Sequence, residues 1–346
     1  MAKAKNRLQA LDALRGIAAL GVVLFHYLPY YDELYGHTFS SPDVLEFGRY
    51  GVHLFFILSG FVILMTLERT DNVRWFGLAR AFRLLPALWV CILLTFFMVQ
   101  VLGPDDRSVS FSTALINFTL LHSYLDYSHV DGAYWSLVIE GTFYLWMAIL
   151  FYALKSWQQL RMVLFGWLII SYIAVFNLEN LSPSLLFLTH ELLFAMYAPL
   201  FISGMLLYRW YKSGNLTASE VLFLALSMSH ALIAYPAPFS LFVLGCYAVF
   251  VLAISGYLDF IVNRLTLWLG SLSYSLYLVH QNIGYGIINH SYAIGLSGVT
   301  GVAIAIGVSF LLAILIHLHV EKPALNWFRE RRYKTAPLVA MNKLSQ

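Results

Sequence analysis

Three side chains in apolar surroundings set the chemical possibilities of this 346-residue chain. Arg15 and His26 stand 11 residues apart in LDALRGIAALGVVLFHY. At about 100° per residue, that spacing returns to within about 20° of one helical face, with a rise of about 16 Å. Glu140 lies in WSLVIEGTFYL, with Ser136 four residues before it and Tyr144 four after, which makes a polar stripe on one face. An imidazole exchanges protons near neutral pH, a guanidinium holds anionic oxygens, and a carboxylate accepts hydrogen bonds or relays a proton. Such groups are costly inside a bilayer, so each is a functional candidate. Structural readings compete with this. Arg15 can snorkel to headgroups, His26 can serve a helix contact, and Glu140 can bond a neighbouring helix.

A second set is less specific. Arg80 and Arg83 share a helical face in RWFGLARAFRLLPALW, with Arg74 close by. The planar arginine fork suits phosphate, but these residues equally fit an ordinary basic flank. In LGSLSYSLYLVHQ, Tyr274 and Tyr277 share a face and His280 follows at the next three-residue step. Packing contacts explain that pattern as well. In GVHLFFILSGF, Gly51, Ser59 and Gly60 permit close helix approach, and His53 sits near a span boundary. His190 and Glu191 form a further polar pair. Cys91 and Cys246 lie inside apolar runs, and the histidines lack ligand spacing, so neither a disulfide framework nor a metal site is expected.

The elements that must position these groups follow from composition. Apolar residues make up 60% and charged residues 11%, against about 45–50% and about 25% in soluble domains. Mean hydropathy is +0.73. A typical soluble enzyme, a disordered chain and a disulfide-stapled module are excluded, and nothing suggests a nucleic-acid partner. A span needs about 20 apolar residues. Ten stretches qualify: 13–31, 50–67, 84–103, 133–154, 162–178, 187–208, 218–235, 239–258, 267–288 and 296–319. The expected fold is all-α, a single polytopic membrane helix bundle over residues 1–346, with a basic tail at 321–346. The first span follows Lys3, Lys5 and Arg7 but contains Asp12 and Arg15, so it reads as an uncleaved helix. With the N-terminus inside, 18 of the 21 basic residues fall on the cytoplasmic side and only Arg49 and Arg107 on the outer side. That asymmetry places both termini in the cytoplasm.

Taken in order, these motifs resemble the acyltransferase-3 family of integral membrane acyltransferases, from about Leu11 to Pro323. Arg15 and His26 match its Arg-x10-His pattern, and Arg80 and Arg83 its Arg-x-x-Arg element. GVHLFFILSGF, WSLVIEGTFYL, LGSLSYSLYLVHQ and the closing VEKP at 320–323 are similar to further family segments. Two departures stand out. His53 occupies a position where the family commonly has an acid, and Gly141 and Thr142 follow Glu140 where Glu-Gln is frequent. The chain resembles the stand-alone form, without an added hydrolase-like domain.

The resemblance implies a bacterial inner-membrane enzyme. It would move an acyl group, acetyl first among candidates, from cytoplasmic acyl-CoA to a hydroxyl of a surface polysaccharide or glycolipid. Acyl-CoA is then a co-substrate, with no permanently bound cofactor. On that basis Arg80 and Arg83 hold the coenzyme phosphates, and Arg15 stabilises the donor or the charge on the thioester oxygen. His26 takes the acceptor proton, and Glu140 orients His26, binds the acceptor or relays the proton. An acyl-histidine route is also open. Ser136, Tyr144, Tyr274, Tyr277 and His280 are expected to line the cavity. Competing readings are a small-molecule acceptor such as an antibiotic, a transporter, and an acyl carrier that feeds a separate transferase. The sequence shows no matched pair of interrupted spans, which weighs against a transporter.

Overall fold

In hydrocarbon every backbone polar group needs an internal partner, and a helix supplies one within each segment. The computed structural model describes residues 2–70, 72–154, 156–177 and 181–332, with side chains from residue 8 onward. Lys155, Glu179 and the tail 333–346 lie outside the described residues, as do the side chains of Lys3, Lys5 and Arg7. Among the described residues the chain is helical and has no strand. Helices of 13 residues or more are numbered α1 (Ala2–Phe25), α2 (Gly51–Leu67), α3 (Val73–Leu102), α4 (Trp135–Ala153), α5 (Trp157–Phe176), α6 (Ala198–Ser213), α7 (Ala218–Ala234), α8 (Phe239–Ser255), α9 (Arg264–Val279), α10 (Gln281–Ala293) and α11 (Gly298–Ile316).

Six continuous helical segments are long and apolar enough to cross a membrane: Leu8–Tyr35, Asp43–Leu67, Val73–Leu102, Gly132–Ala153, Trp157–Phe176 and Gly298–Arg332. The 17-residue helices α7 and α8 are shorter apolar elements. Two stretches expected as unbroken spans are interrupted. In 187–208, a π-turn at Phe187–Leu192 gives way to irregular backbone before α6 begins at Ala198. In 267–288, α9 stops at Val279 and α10 restarts at Gln281, with His280 between them. Both stretches were expected as continuous helices, and both are broken. Interruption is tolerated because other side chains satisfy the freed backbone.

The chain divides into two compact units. The first comprises residues 1–69 and 133–273. Within it, α2 and α6 approach to backbone contact. A Cβ on Gly60 would overlap the Phe201 carbonyl, and one on Gly204 would overlap the Ile57 carbonyl. Small residues at such crossings let dispersion and close packing hold helices together where no hydrophobic drive exists. Gly204→Val should therefore separate the pair and destabilise the protein by at least about 1–3 kcal/mol, an overpacking cost. Thermal denaturation in detergent measures it, and an unchanged midpoint would refute the crossing.

The interruption before α6 is held from α4, from α5 and from the residue that follows α7. Trp146 Nε1 donates to the Leu192 carbonyl at 2.9 Å and Trp167 Nε1 to the Leu193 carbonyl at 2.8 Å. The Tyr235 hydroxyl donates to the Met196 carbonyl at 3.2 Å. Buried Phe194 takes a left-handed conformation there, with φ of 34°. A bulky residue adopts that region only where its surroundings dictate it.

The second unit comprises residues 70–132 and 274–346. Its connection between α3 and α4 is ordered by Asn117. The Asn117 Nδ2 donates to the Thr113 and Ser128 carbonyls, and its Oδ1 accepts from Val130 N at 3.1 Å. Asp131 then accepts from Asn282 N at 3.0 Å, at the start of α10. Asn282 returns a bond from its Nδ2 to the Val130 carbonyl at 3.0 Å. The restart after His280 is thus anchored to this connection.

The same connection holds His122 and His129, whose Nε2 and Nδ1 lie 2.7 Å apart. One nitrogen must donate and the other accept, so the accepting ring must be neutral and the contact is lost when both rings are protonated. Burial lowers the pKa of both, that of His122 to about 4. The unfolded chain binds protons near the ordinary value of about 6.5, so the native state binds fewer between these limits. Stability should consequently fall as pH drops from about 6.5 toward 4. His122→Phe should blunt that loss in melting curves recorded across the range. An identical pH profile would remove the pair from the acid response.

Candidate active site

All three leading candidates belong to the first unit. His26 opens a π-turn, His26–Tyr30, inside the continuous Leu8–Tyr35 helix. Pro29 lies within this turn and removes one backbone donor. Single π-turns of this kind recur at functional positions. The Nδ1 of His26 is 2.9 Å from the Val22 carbonyl, one turn earlier. A carbonyl only accepts, so Nδ1 carries the proton and Nε2 becomes the basic nitrogen of the neutral ring. Phe25 and Tyr30 pack edge-on against the imidazole, with centroids at 5.0 and 5.7 Å. Tautomer and ring orientation are therefore set by the helix that carries His26.

Arg15 is committed to α9. Its Nε donates to the Gly270 carbonyl at 3.2 Å and Ser273 Oγ at 2.8 Å, while Nη2 donates to the same carbonyl at 2.7 Å. Asp12 lies 3.4 Å from Nη2. Gly16 and Gly270 permit this crossing, since a Cβ on Gly16 would overlap the backbone of Gly270. The guanidinium fixes α1 along its axis, which in turn fixes where His26 lies.

Glu140 is half-buried on α4. Ser59 Oγ donates to its Oε1 at 2.9 Å, and the Tyr144 hydroxyl donates to the same oxygen. The stripe read from spacing thus exists for Glu140 and Tyr144, with Ser59 of α2 as an addition. Ser136 turns back to the Ala133 carbonyl at 3.2 Å.

Arg80, Arg83, Tyr274, Tyr277 and His280 belong to the second unit. Arg83 forms an ion pair with Glu321 and lies over the Tyr274 ring at 5.3 Å. The Tyr274 hydroxyl donates to the Leu84 carbonyl at 2.7 Å. Glu321, only 1% exposed, also accepts from Ser275 Oγ at 2.8 Å and pairs with His317 Nδ1 at 3.1 Å. His280 is fully buried, with Nδ1 2.8 Å from the Tyr277 carbonyl.

Glu321 is the residue that sequence reasoning left without a role. It falls two positions beyond the expected end of the tenth span at 319, so it reads as tail. The helix in fact continues through a π-turn, His317–Glu321, to Arg332. The available signal was the VEKP motif itself, in which an acid directly follows a long apolar run.

Comparison with known proteins supports the enzyme reading. The profile of the acyltransferase domain matches residues 8–318. The chain belongs to this acyltransferase family. It is an acyltransferase with several helices apolar enough for a multi-pass membrane protein. Among curated relatives, this acyltransferase is 23% identical over 242 residues to an O-acetyl transferase of Shigella phage Sf6, covering 66% of this chain and 71% of that protein. It is 28% identical over 169 residues to nodulation protein 10 of Rhizobium leguminosarum bv. viciae, covering 43% and 45%. No solved structure matches the chain.

Proposed function

We propose that this acyltransferase carries an acyl group, acetyl first among candidates, from cytoplasmic acyl-CoA to a hydroxyl of a surface polysaccharide or glycolipid. The observation that carries the reading is His26, whose Nδ1 donates to the Val22 carbonyl and leaves Nε2 basic within a membrane helix. The relative named O-acetyl transferase supports a hydroxyl acceptor and an acetyl donor. His26 Nε2 takes the proton as the acceptor oxygen attacks the thioester carbonyl. The carbon–sulfur bond breaks, the ester forms, and coenzyme A leaves as the thiol on receiving that proton. Arg80 and Arg83 supply donor-phosphate affinity, with Arg83 also neutralising Glu321. Arg15 acts by fixing α1, and Glu140 with Ser59 and Tyr144 offers a polar contact for the acceptor. The basic-residue asymmetry supports cytoplasmic termini, and residence in the bacterial inner membrane is part of the same proposal.

Purified protein should release free coenzyme A from acetyl-CoA faster when a candidate glycan is present, and the glycan should gain acetyl mass. Release that ignores every glycan would count against a complete O-acyltransferase. A second reading draws on the two interrupted helices, a feature of transporters. On that reading the protein delivers the acyl group to a separate transferase. Acetylation of the acceptor by the purified protein alone excludes it.

A further inference from the structure

His53 lies on α2 in the first unit, and its surroundings leave its polarity unanswered. The residue is 4% exposed, and neither ring nitrogen has a hydrogen-bond partner. The Tyr50 carbonyl lies near the ring, outside hydrogen-bond geometry. Buried polar atoms in native folds are nearly always paired, so an imidazole left over calls for a ligand or a water. Three tyrosine rings face it: Tyr50 at 4.9 Å, Tyr235 at 4.9 Å and Tyr197 at 5.9 Å between centroids. Trp135, the first residue of α4, lies against Tyr197 at 5.2 Å. All four aromatic residues are partly exposed.

The irregular backbone before α6 reaches the same place. Tyr197 is its last residue, and Tyr235 both faces His53 and donates to Met196 within the interruption. Non-helical backbone at membrane depth is tolerated where it is packed in protein or lines a polar cavity. Here it coincides with the unpartnered imidazole, an independent observation of the same locality.

We infer that His53, Tyr50, Tyr197, Tyr235 and Trp135 form a subsite for one pyranose ring of the acceptor. Aromatic faces take the apolar C–H face of a sugar, and a neutral imidazole offers one donor and one acceptor to its hydroxyls. An anionic ligand fits less well, because a neutral ring brings no charge to hold it. A purely apolar ligand would leave both nitrogens unpaired. The inference rests on the glycan reading above, and the experiment separates the two.

Saturation-transfer NMR of the purified protein in detergent, with methyl glucopyranoside, methyl galactopyranoside and methyl rhamnopyranoside as probes, reads binding directly. At least one glycoside should show saturable transfer to its ring C–H protons. His53→Leu should weaken that binding tenfold or more, and His53→Asn, which keeps a donor and an acceptor, should recover part of it. In acyl transfer the same variants should raise the acceptor KM more than they lower kcat. No binding of any probe by the wild type, equal binding by His53→Leu, or a loss confined to kcat would each overturn the subsite. Sugar binding without acyl transfer would keep the subsite and defeat the function. Transfer to a glycan with an acceptor KM unmoved by His53→Asn and His53→Leu would do the reverse.

Discussion

His26→Ala should abolish acyl transfer while leaving the amount of protein in the membrane unchanged. A positioned general base is worth about 10²–10⁴-fold in rate, and His26 is the group whose tautomer is arranged for that task. The structural cost of the substitution is small by comparison. The ring is half-buried and makes an Nδ1 bond to a carbonyl of its own helix. A bond of that kind contributes about 0.5–1.5 kcal/mol. Alanine is the best helix former, so the backbone of the continuous Leu8–Tyr35 segment is retained. Coenzyme A release and acceptor acetylation give the activity, and quantitative blotting of membranes gives the protein level. Normal modification of the acceptor by this variant would remove His26 from the mechanism.

Arg83→Ala should be the most destabilising single change in the second unit. Glu321 is buried with Arg83, Ser275 and His317 around it. Removing one partner of a buried ion pair leaves an uncompensated charge and costs about 3–5 kcal/mol. The double variant Arg83→Met with Glu321→Gln removes both charges and should regain most of the lost stability, because the penalty lies in the orphaned carboxylate. Melting midpoints in detergent test both arms. A stable Arg83→Ala protein would show that Glu321 does not depend on this arginine.

This pair also changes how donor binding must be tested. A combined Arg80→Ala and Arg83→Ala variant would mix loss of phosphate affinity with loss of fold. Arg80→Ala alone is the cleaner probe. It should weaken acetyl-CoA affinity with little shift in midpoint, and unaltered affinity would return Arg80 to the role of a basic flank.

Much of the site's inventory was legible in the chain, residue by residue. Helical period put Glu140 and Tyr144 on one face, and in the structure the Tyr144 hydroxyl donates to Glu140. Local spacing placed Arg15 and His26 on one face of one helix, and both lie on the continuous Leu8–Tyr35 segment. Their partners were not legible. Gly270 and Ser273, which accept from Arg15, lie on α9, and Ser59, which donates to Glu140, lies on α2. Periodicity speaks of one helix at a time, and these bonds join helices far apart in sequence.

The interruptions show the same division. Residues 187–208 read as an apolar span in spite of His190, Glu191 and Pro199, and Pro199 falls where α6 begins. The backbone there is held by Trp146 on α4, Trp167 on α5 and Tyr235 just after α7, which offer donors to carbonyls that a helix would have used internally. By itself, then, the sequence determined that this protein is helical and apolar enough for a membrane, and which residue types are available for chemistry. Those properties follow from composition and helical period, since a bilayer leaves few other ways to satisfy a backbone. Only the tertiary structure decided which carbonyl sets the His26 tautomer, which acid neutralises Arg83 and where two helices break. Each of those outcomes depends on hydrogen-bond partners that meet only once the helices have packed.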